Sequence, residues 1–138
     1  MRSNHEYGEA TVSVIDELIA EVPYYRYLGL RAGEGGTVVL PGTPRHIGDH
    51  TRAVLHGGVL AAFLEAAAVL HLRSDGAVTA TTIGCATDFL RAAPVADTIA
   101  SVTVVRRGRR VAHLRVDALQ ENASRLVAVA YGSWLVDA

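Results

Sequence analysis

One carboxylate stands inside a long apolar run. Residues 55–72 read LHGGVLAAFLEAAAVLHL, and Glu65 is the acidic residue among them. On a helix it would neighbour only aliphatic side chains, at Ala61, Ala62, Ala68 and Val69. Because an ionised carboxylate buried without a partner costs several kcal/mol, Glu65 must reach water, meet a partner from elsewhere in the fold, or line a cavity. In a cleft it would serve as a general base or nucleophile; the alternative is a solvated glutamate on an exposed helix edge.

The second candidate feature is His56-Gly57-Gly58, at the expected start of the same helix. The first backbone N–H groups of a helix have no internal acceptor, and the helix dipole places partial positive charge there. Glycine lets another group approach these donors closely. The combination is that of an oxyanion hole, which stabilises negative charge on a reacting carbonyl oxygen. The alternative interpretation is a tight turn that needs a flexible backbone.

The spacing of the two features predicts a site between two subunits. Glu65 lies seven residues after Gly58, about 10 Å along a helix. A water held by the carboxylate and a carbonyl held by the Gly58 N–H would need to be about 3 Å apart. One helix does not easily bring both groups to one carbon atom, whereas antiparallel helices from two subunits can. A two-fold homodimer would then contain two equivalent sites.

The elements that position these residues follow from hydrophobic patterning. Residues 11–22 predict a short helix that stops at Pro23, with a connecting segment over 24–28. A polar loop covers 41–54, and a long helix covers 55–73. Strands are predicted at 28–32, 37–40, 78–90, 98–105, 111–119 and 126–136. Short turns between successive strands indicate an antiparallel sheet, which must cover the nearly all-apolar helix. The fold class is therefore α+β.

Length and composition narrow the class of protein. The chain has 138 residues, of which half are hydrophobic, and its formal net charge is −1. These values fit one globular domain and give no basic excess for nucleic acid. Cys85 is the single cysteine, so no internal disulfide can form. The N-terminus lacks an apolar signal segment, and the longest apolar run is too short for a bilayer. We therefore expect a cytoplasmic protein without a membrane partner.

Four segments together resemble a known family. They are YYRYLGL (24–30), RHIGDHTRAVLHGGVLAAFLEAAA (45–68), TDFLRAA (87–93) and VVRRGRRVA (104–112). The pattern is similar to that of the hotdog-fold thioesterases of the PaaI-like group, which includes relatives of 4-hydroxybenzoyl-CoA thioesterase. The resemblance implies an antiparallel sheet wrapped around one long central helix. It also implies a single domain over residues 12–138 and self-association as a homodimer or a dimer of dimers. The segment over 1–11 is expected to be frayed or disordered because its residues are mostly polar.

The resemblance also assigns roles to residues. Glu65 falls on the acidic residue that acts as general base or nucleophile, and the Gly58 N–H would polarise the thioester carbonyl. His56 is typical of the family and is expected to shape the helix start. Many relatives carry Asn or Gln where this chain has Asp49 and His50, a departure; His50 would position water or donate to the carbonyl.

Substrate binding is assigned to a second set of residues: Gly57, Asp49, Arg91, Arg107 and Arg109. Guanidinium groups match phosphate oxygens, which suits the phosphates of CoA. For the arginines of the RRGRR turn, the alternative is a solvated hairpin tip.

Other constellations are weaker. The spacing of His46, Asp49, His50 and His56 matches no zinc pattern, and the glycines at 33, 35 and 36 precede no helix, as a dinucleotide loop would require. Cys85 is interpreted as a small core residue. We expect no metal and no cofactor other than the CoA of the substrate.

The sequence thus predicts an acyl-CoA thioesterase that hydrolyses a small aromatic or short- to medium-chain acyl-CoA to the free acid and CoA. The alternative is a hotdog module that binds acyl-CoA without cleaving it.

Overall fold

The computed structural model describes residues 14–49 and 51–137, and residues 14–21 form the first helix, α1. Two further helices follow, α2 (Pro23–Leu28) and α3 (Gly57–Ser74). The strands are β1 (Arg31–Ala32), β2 (Val38–Leu40), β3 (Ile47–Asp49), β4 (Arg52–Leu55), β5 (Thr79–Phe89), β6 (Thr98–Arg107), β7 (Val111–Gln120) and β8 (Arg125–Asp137). The predicted α+β class, with one long helix and four long strands after it, is confirmed.

Six strands form one antiparallel sheet in the order β1-β2-β6-β7-β8-β5. Strands β6, β7 and β8 are joined by short hairpin turns, as the turn signals in the sequence predict. Strand β5 pairs with β8 on one side only, so it forms an edge of the sheet in the described chain. This edge is eleven residues long and exposes large apolar side chains, with Ile83 59% and Phe89 55% accessible. Long apolar edges of this kind favour pairing with another strand.

Helix α3 packs lengthwise on the inner face of the sheet. Eight of its residues are buried, including Phe63, Leu64 and Ala67 with no accessible surface. The inner face of β7 supplies small and branched side chains at Ala112, Leu114 and Val116. By length and composition alone this helix could cross a membrane, but core helices meet the same criteria, and here the helix is buried under the sheet.

Two sequence predictions are wrong in detail. Residues 24–28 are not a connecting segment but part of α2, which has Pro23 in its first turn and ends at Gly29 with φ 76°. Proline fits the first turn because its missing N–H would have no acceptor there. The predicted polar loop over 41–54 contains the β3–β4 hairpin. Strands of three and four residues are too short to show alternation in the sequence.

Candidate active site

Glu65 lies on an exposed part of α3 that faces strand β5. The Thr82 hydroxyl donates a hydrogen bond to Glu65 Oε1 at 3.0 Å. The carboxylate therefore reaches solvent and also has a partner from elsewhere in the fold, two of the three possibilities that the sequence left open. A charge-assisted hydrogen bond of this kind restricts the carboxylate to one orientation.

Two neutral polar side chains lie within the electrostatic reach of Glu65. Burial raises the pKa of the Tyr25 phenol, and the negative charge of Glu65 raises it further, against the opposing charge of Arg73. Burial likewise raises the pKa of the Cys85 thiol, and Glu65 adds to that effect. Since the thiolate is the reactive form of cysteine, Cys85 is poorly suited to be a nucleophile. Glu65 is the group in this cluster that carries negative charge.

Thr82 belongs to the edge strand of the sheet, beside a register shift between Thr82 and Gly84. It lies opposite Trp134 in the β5–β8 register. The indole of Trp134 is fully buried, and its Nε1–H has no hydrogen-bond partner among the described residues. The ring lies over Gly132, where an added Cβ would be only 2.6 Å from it. Gly132 therefore leaves the space that the indole needs beneath this part of the site.

Replacing Thr82 by valine removes the hydroxyl that orients Glu65 and keeps the β-branched shape. A hydrogen bond to a charged group contributes roughly 1.5–3 kcal/mol, so we expect kcat of a reaction that uses the Glu65 carboxylate to fall about 10- to 100-fold. Steady-state kinetics measure this change. Thr82→Ser keeps the donor and serves as the matched control; equal activity of Thr82→Val and wild type would mean that the contact does not position the carboxylate.

At the start of α3 the Gly58 N–H is not free to bind a substrate carbonyl, contrary to the prediction from the sequence. His56 is the N-cap residue, and the Gly58 N–H donates to His56 Nδ1 at 2.9 Å. Because Nδ1 accepts this bond, the proton of the neutral ring is assigned to Nε2. The prediction that the Gly58 N–H holds the carbonyl conflicts with this bond, since the donor is already used. His56 does shape the helix start, as the sequence indicates.

Gly57 supplies the free donor instead. Among the described residues, no hydrogen-bond acceptor is found for its backbone N–H. Gly57 also lines a cavity of about 320 Å³. The ring of Phe89 lies next to it, 3.4 Å from the position of an added Cβ. The other residues around the cavity are Arg52, Val54, Leu55, Leu60, Leu90, Arg91, Ala92 and Ala93. A largely apolar cavity with one free N–H at a helix start can bind and polarise a carbonyl.

The structure brings only some of the predicted substrate-binding residues to this cavity. Gly57 and Arg91 line it together. Asp49 is engaged in its own turn, where Oδ1 accepts from the Thr51 N–H at 2.8 Å and from the Thr51 hydroxyl at 2.7 Å. These bonds lower the pKa of the Asp49 carboxyl. Asp49 thus stabilises the β3–β4 turn, and the prediction for His50 falls outside the described residues.

Arg107 lies at the other end of α3. Burial lowers the pKa of His71 near the helix C-terminus, and the charge of Arg107 adds to this lowering. Arg109 belongs to the adjoining β6–β7 turn. An 18-residue helix is about 27 Å long, so these two arginines do not join the Gly57 cavity within one chain. Among the described residues, no group of three or more His, Cys, Asp or Glu could hold a metal ion.

Comparison with known proteins identifies the family. The family profile described as acyl-CoA thioesterase N-terminal domain matches residues 46–135, most of the chain and all of the candidate site except Tyr25. The chain belongs to the acyl-CoA thioesterase family. The protein is thus a thioester hydrolase, and its fold is the hotdog fold that the sequence motifs indicate. No curated protein matches this thioesterase.

Solved structures share this fold. A thioesterase from Haemophilus influenzae is 20% identical, covers 91% of this chain and 90% of its own, and has a TM-score of 0.80. The PaaI protein from the phenylacetic acid degradation operon of E. coli is 18% identical over 95% and 96% of the two chains, with a TM-score of 0.79. A mutant of the phenylacetic acid degradation protein PaaI from Thermus thermophilus is 27% identical over 83% and 98%, with a TM-score of 0.71.

Sequence reasoning missed two residues of the thioesterase site. Thr82 is one of several threonines in β5, and nothing local shows which of them meets a helix residue 17 positions earlier. Phe89 reads as an ordinary strand residue, yet its ring lies beside Gly57. Both contacts depend on how α3 crosses the sheet. The spacing of hydrophobic residues along the sequence does not determine that crossing.

Proposed function

We propose that the protein hydrolyses acyl-CoA thioesters with small aromatic or short- to medium-chain acyl groups, releasing the free acid and CoA. The observation that carries the proposal is the Gly57 N–H, which has no acceptor among the described residues and belongs to a residue that lines the apolar cavity. A volume of about 320 Å³ lies at the lower end of the range for ligand pockets. The volume and the mostly apolar lining support a compact acyl group in the part of the site that one chain supplies.

In the proposed reaction the thioester oxygen accepts a hydrogen bond from the Gly57 N–H. The helix dipole of α3 stabilises the negative charge that develops on that oxygen. Glu65, oriented by Thr82, either takes a proton from the attacking water or attacks the carbonyl carbon itself. The carbon–sulfur bond then breaks, and CoA leaves as its thiolate. When water is the nucleophile, this step gives the acid directly. When Glu65 attacks, it leaves an anhydride between Glu65 and the acyl group, which water hydrolyses to the free acid and the Glu65 carboxylate. These steps require neither a metal ion nor a redox cofactor.

Two copies of the chain are proposed to form each site. Gly57 and Glu65 lie eight residues apart on one helix, about 12 Å along its axis, which is too far for one substrate carbon. The unpaired apolar edge of β5 lies beside Glu65, because Thr82 belongs to that strand. Pairing of β5 with the same strand of a second copy would cover this edge and bring a second α3 close to Glu65.

A panel of acyl-CoA substrates tests the proposed function. Purified protein is incubated with aryl, short-chain and long-chain acyl-CoAs, and a thiol reagent detects the CoA that is released. We expect turnover that is greatest for aryl and short acyl groups. Tight binding without thiol release would contradict hydrolysis, and a preference for long chains would contradict the proposed substrate class.

Mixing two inactive variants tests the shared site. Glu65→Gln and Gly57→Pro protomers are unfolded together and refolded at equal amounts. A heterodimer then contains one site with both residues intact and one with both changed, so random pairing gives about a quarter of wild-type activity. Each variant refolded alone is the control. If the mixture shows no more activity than the controls, each site is built from a single chain.

A further inference from the structure

Arg91 follows the edge strand β5 and lines the same cavity as Gly57. Residues 93–95 run antiparallel to β4, with the Leu55 N–H donating to the Ala93 carbonyl at 2.8 Å. Following the two segments onward from this pair brings Arg91 next to the first residue of α3. Both Arg91 and Gly57 line the same cavity. An arginine exposed to solvent and a helix N-terminus therefore border one space.

The guanidinium of Arg91 makes no hydrogen bond or ion pair with any side chain that the structure describes. No carboxylate pairs with it among the described residues, whereas Arg52 on the same cavity forms an ion pair with Asp49 at 3.4 Å. The backbone of Arg91 is held in place, since its N–H donates to the Val127 carbonyl at 3.4 Å. The side chain is thus an uncommitted cation on an anchored backbone. Arginine keeps its charge and its five donors at every physiological pH.

We infer that Arg91 is a catalytic residue that donates the second hydrogen bond to the thioester oxygen. The inference rests on the proposed hydrolase function. Oxyanion holes use preorganised donors aimed at the charge that develops in the transition state. At the start of α3 the Gly58 N–H is already used by His56, which leaves the Gly57 N–H alone. The neighbouring guanidinium completes the pair and adds a full positive charge.

The position of Arg91 favours a hydrogen bond to the thioester oxygen over contacts with the phosphates of CoA. Between sulfur and pyrophosphate the extended pantetheine arm spans about 15 Å, the length of four to five extended residues. An arginine side chain reaches only roughly half that distance from its own Cα. A carbonyl that binds at the Gly57 N–H is thus within reach of Arg91, and the pyrophosphate of the same extended molecule is not.

Two substrates with the same acyl group separate these roles. One is the acyl-CoA, and the other is the acyl thioester of N-acetylcysteamine, which keeps the reacting thioester and lacks the phosphates. For Arg91→Met we expect kcat to fall about 100-fold on both substrates, the loss typical of one oxyanion donor. Arg91→Lys keeps the charge without the planar fork and should recover part of kcat on both.

Arg31→Met is the control, since Arg31 pairs with Asp97 on the opposite edge of the sheet and should leave both rates unchanged. If Arg91→Met raises KM for acyl-CoA and leaves the short thioester unaffected, Arg91 binds phosphate and the inference is overturned. Unchanged kcat on both substrates overturns it as well. Should Arg91→Met fail to fold, the comparison of Arg91→Lys with wild type on the two substrates decides in the same way. A wild-type protein that cleaves neither thioester would instead remove the proposed function.

Discussion

Glu65→Gln is expected to lower kcat for thioester cleavage by about 10³-fold or more, within the upper range for loss of a general base or nucleophile. Glutamine has the size of glutamate, and its amide oxygen can still accept the hydrogen bond from Thr82. It can neither take a proton from water nor attack a carbonyl carbon efficiently. The chemistry is thus removed while the local packing remains. Stopped-flow or steady-state assays of thiol release measure the effect.

Two further variants make this test specific. Glu34→Gln changes an exposed acid in the turn between β1 and β2, and we expect it to be as active as wild type. Glu65→Asp keeps the carboxylate but draws it back by one methylene from Thr82, so an intermediate kcat is expected. If Glu65→Gln retains most of the wild-type rate, the carboxylate is not the reactive group and the mechanism fails.

Gly57→Pro is expected to lower kcat about 10²- to 10³-fold, the effect of removing one oxyanion donor. Gly57 is the first residue of α3, and proline is well tolerated at that position because it removes an N–H that the helix does not use. His56 already has φ −63° and ψ 130°, the extended conformation that a residue before proline requires. The substitution therefore deletes one hydrogen-bond donor without breaking the helix.

Gly57→Ala is the matched control for this variant. It keeps the N–H, and its Cβ would lie 3.4 Å from the Phe89 ring, an ordinary van der Waals contact. We expect it to retain most of the activity, and thermal unfolding should show both variants folded. Full activity of a folded Gly57→Pro protein would show that this N–H does not bind the substrate.

The long elements of this fold are well predicted because their patterns are long. Helix α3 shows 18 residues dominated by strong helix formers, and β7 alternates buried and more exposed positions along its length. Helix α2 and the β3–β4 hairpin were missed, because six helical residues and strands of three and four residues each hold no more than about two periods of their own pattern. Their formation depends on tertiary contacts, such as the hydrogen bond between His46 Nε2 and the Leu28 carbonyl at 2.9 Å.

The acidic residue of the candidate site could be predicted from the sequence, whereas the backbone donor and the contacts between elements could not. A lone carboxylate in an apolar helix was enough to single out Glu65. Two adjacent glycines could not be distinguished by spacing, because the choice depends on the His56 side chain, whose ring takes the Gly58 N–H. Thr82 could not be found at all, since its partner lies on another element. Backbone donors and cross-element contacts are properties of packing, which a single sequence does not display.

Trp134 gives the protein a built-in optical probe. It is the single tryptophan of the chain, and it lies opposite the threonine that holds Glu65. Its fluorescence therefore comes from one known place, and the unpartnered Nε1–H makes the indole sensitive to any polar group that arrives nearby. Ligand binding that moves Thr82 or Glu65 is therefore expected to change this emission, without a dye or a label, in the wild type and in variants that no longer turn over.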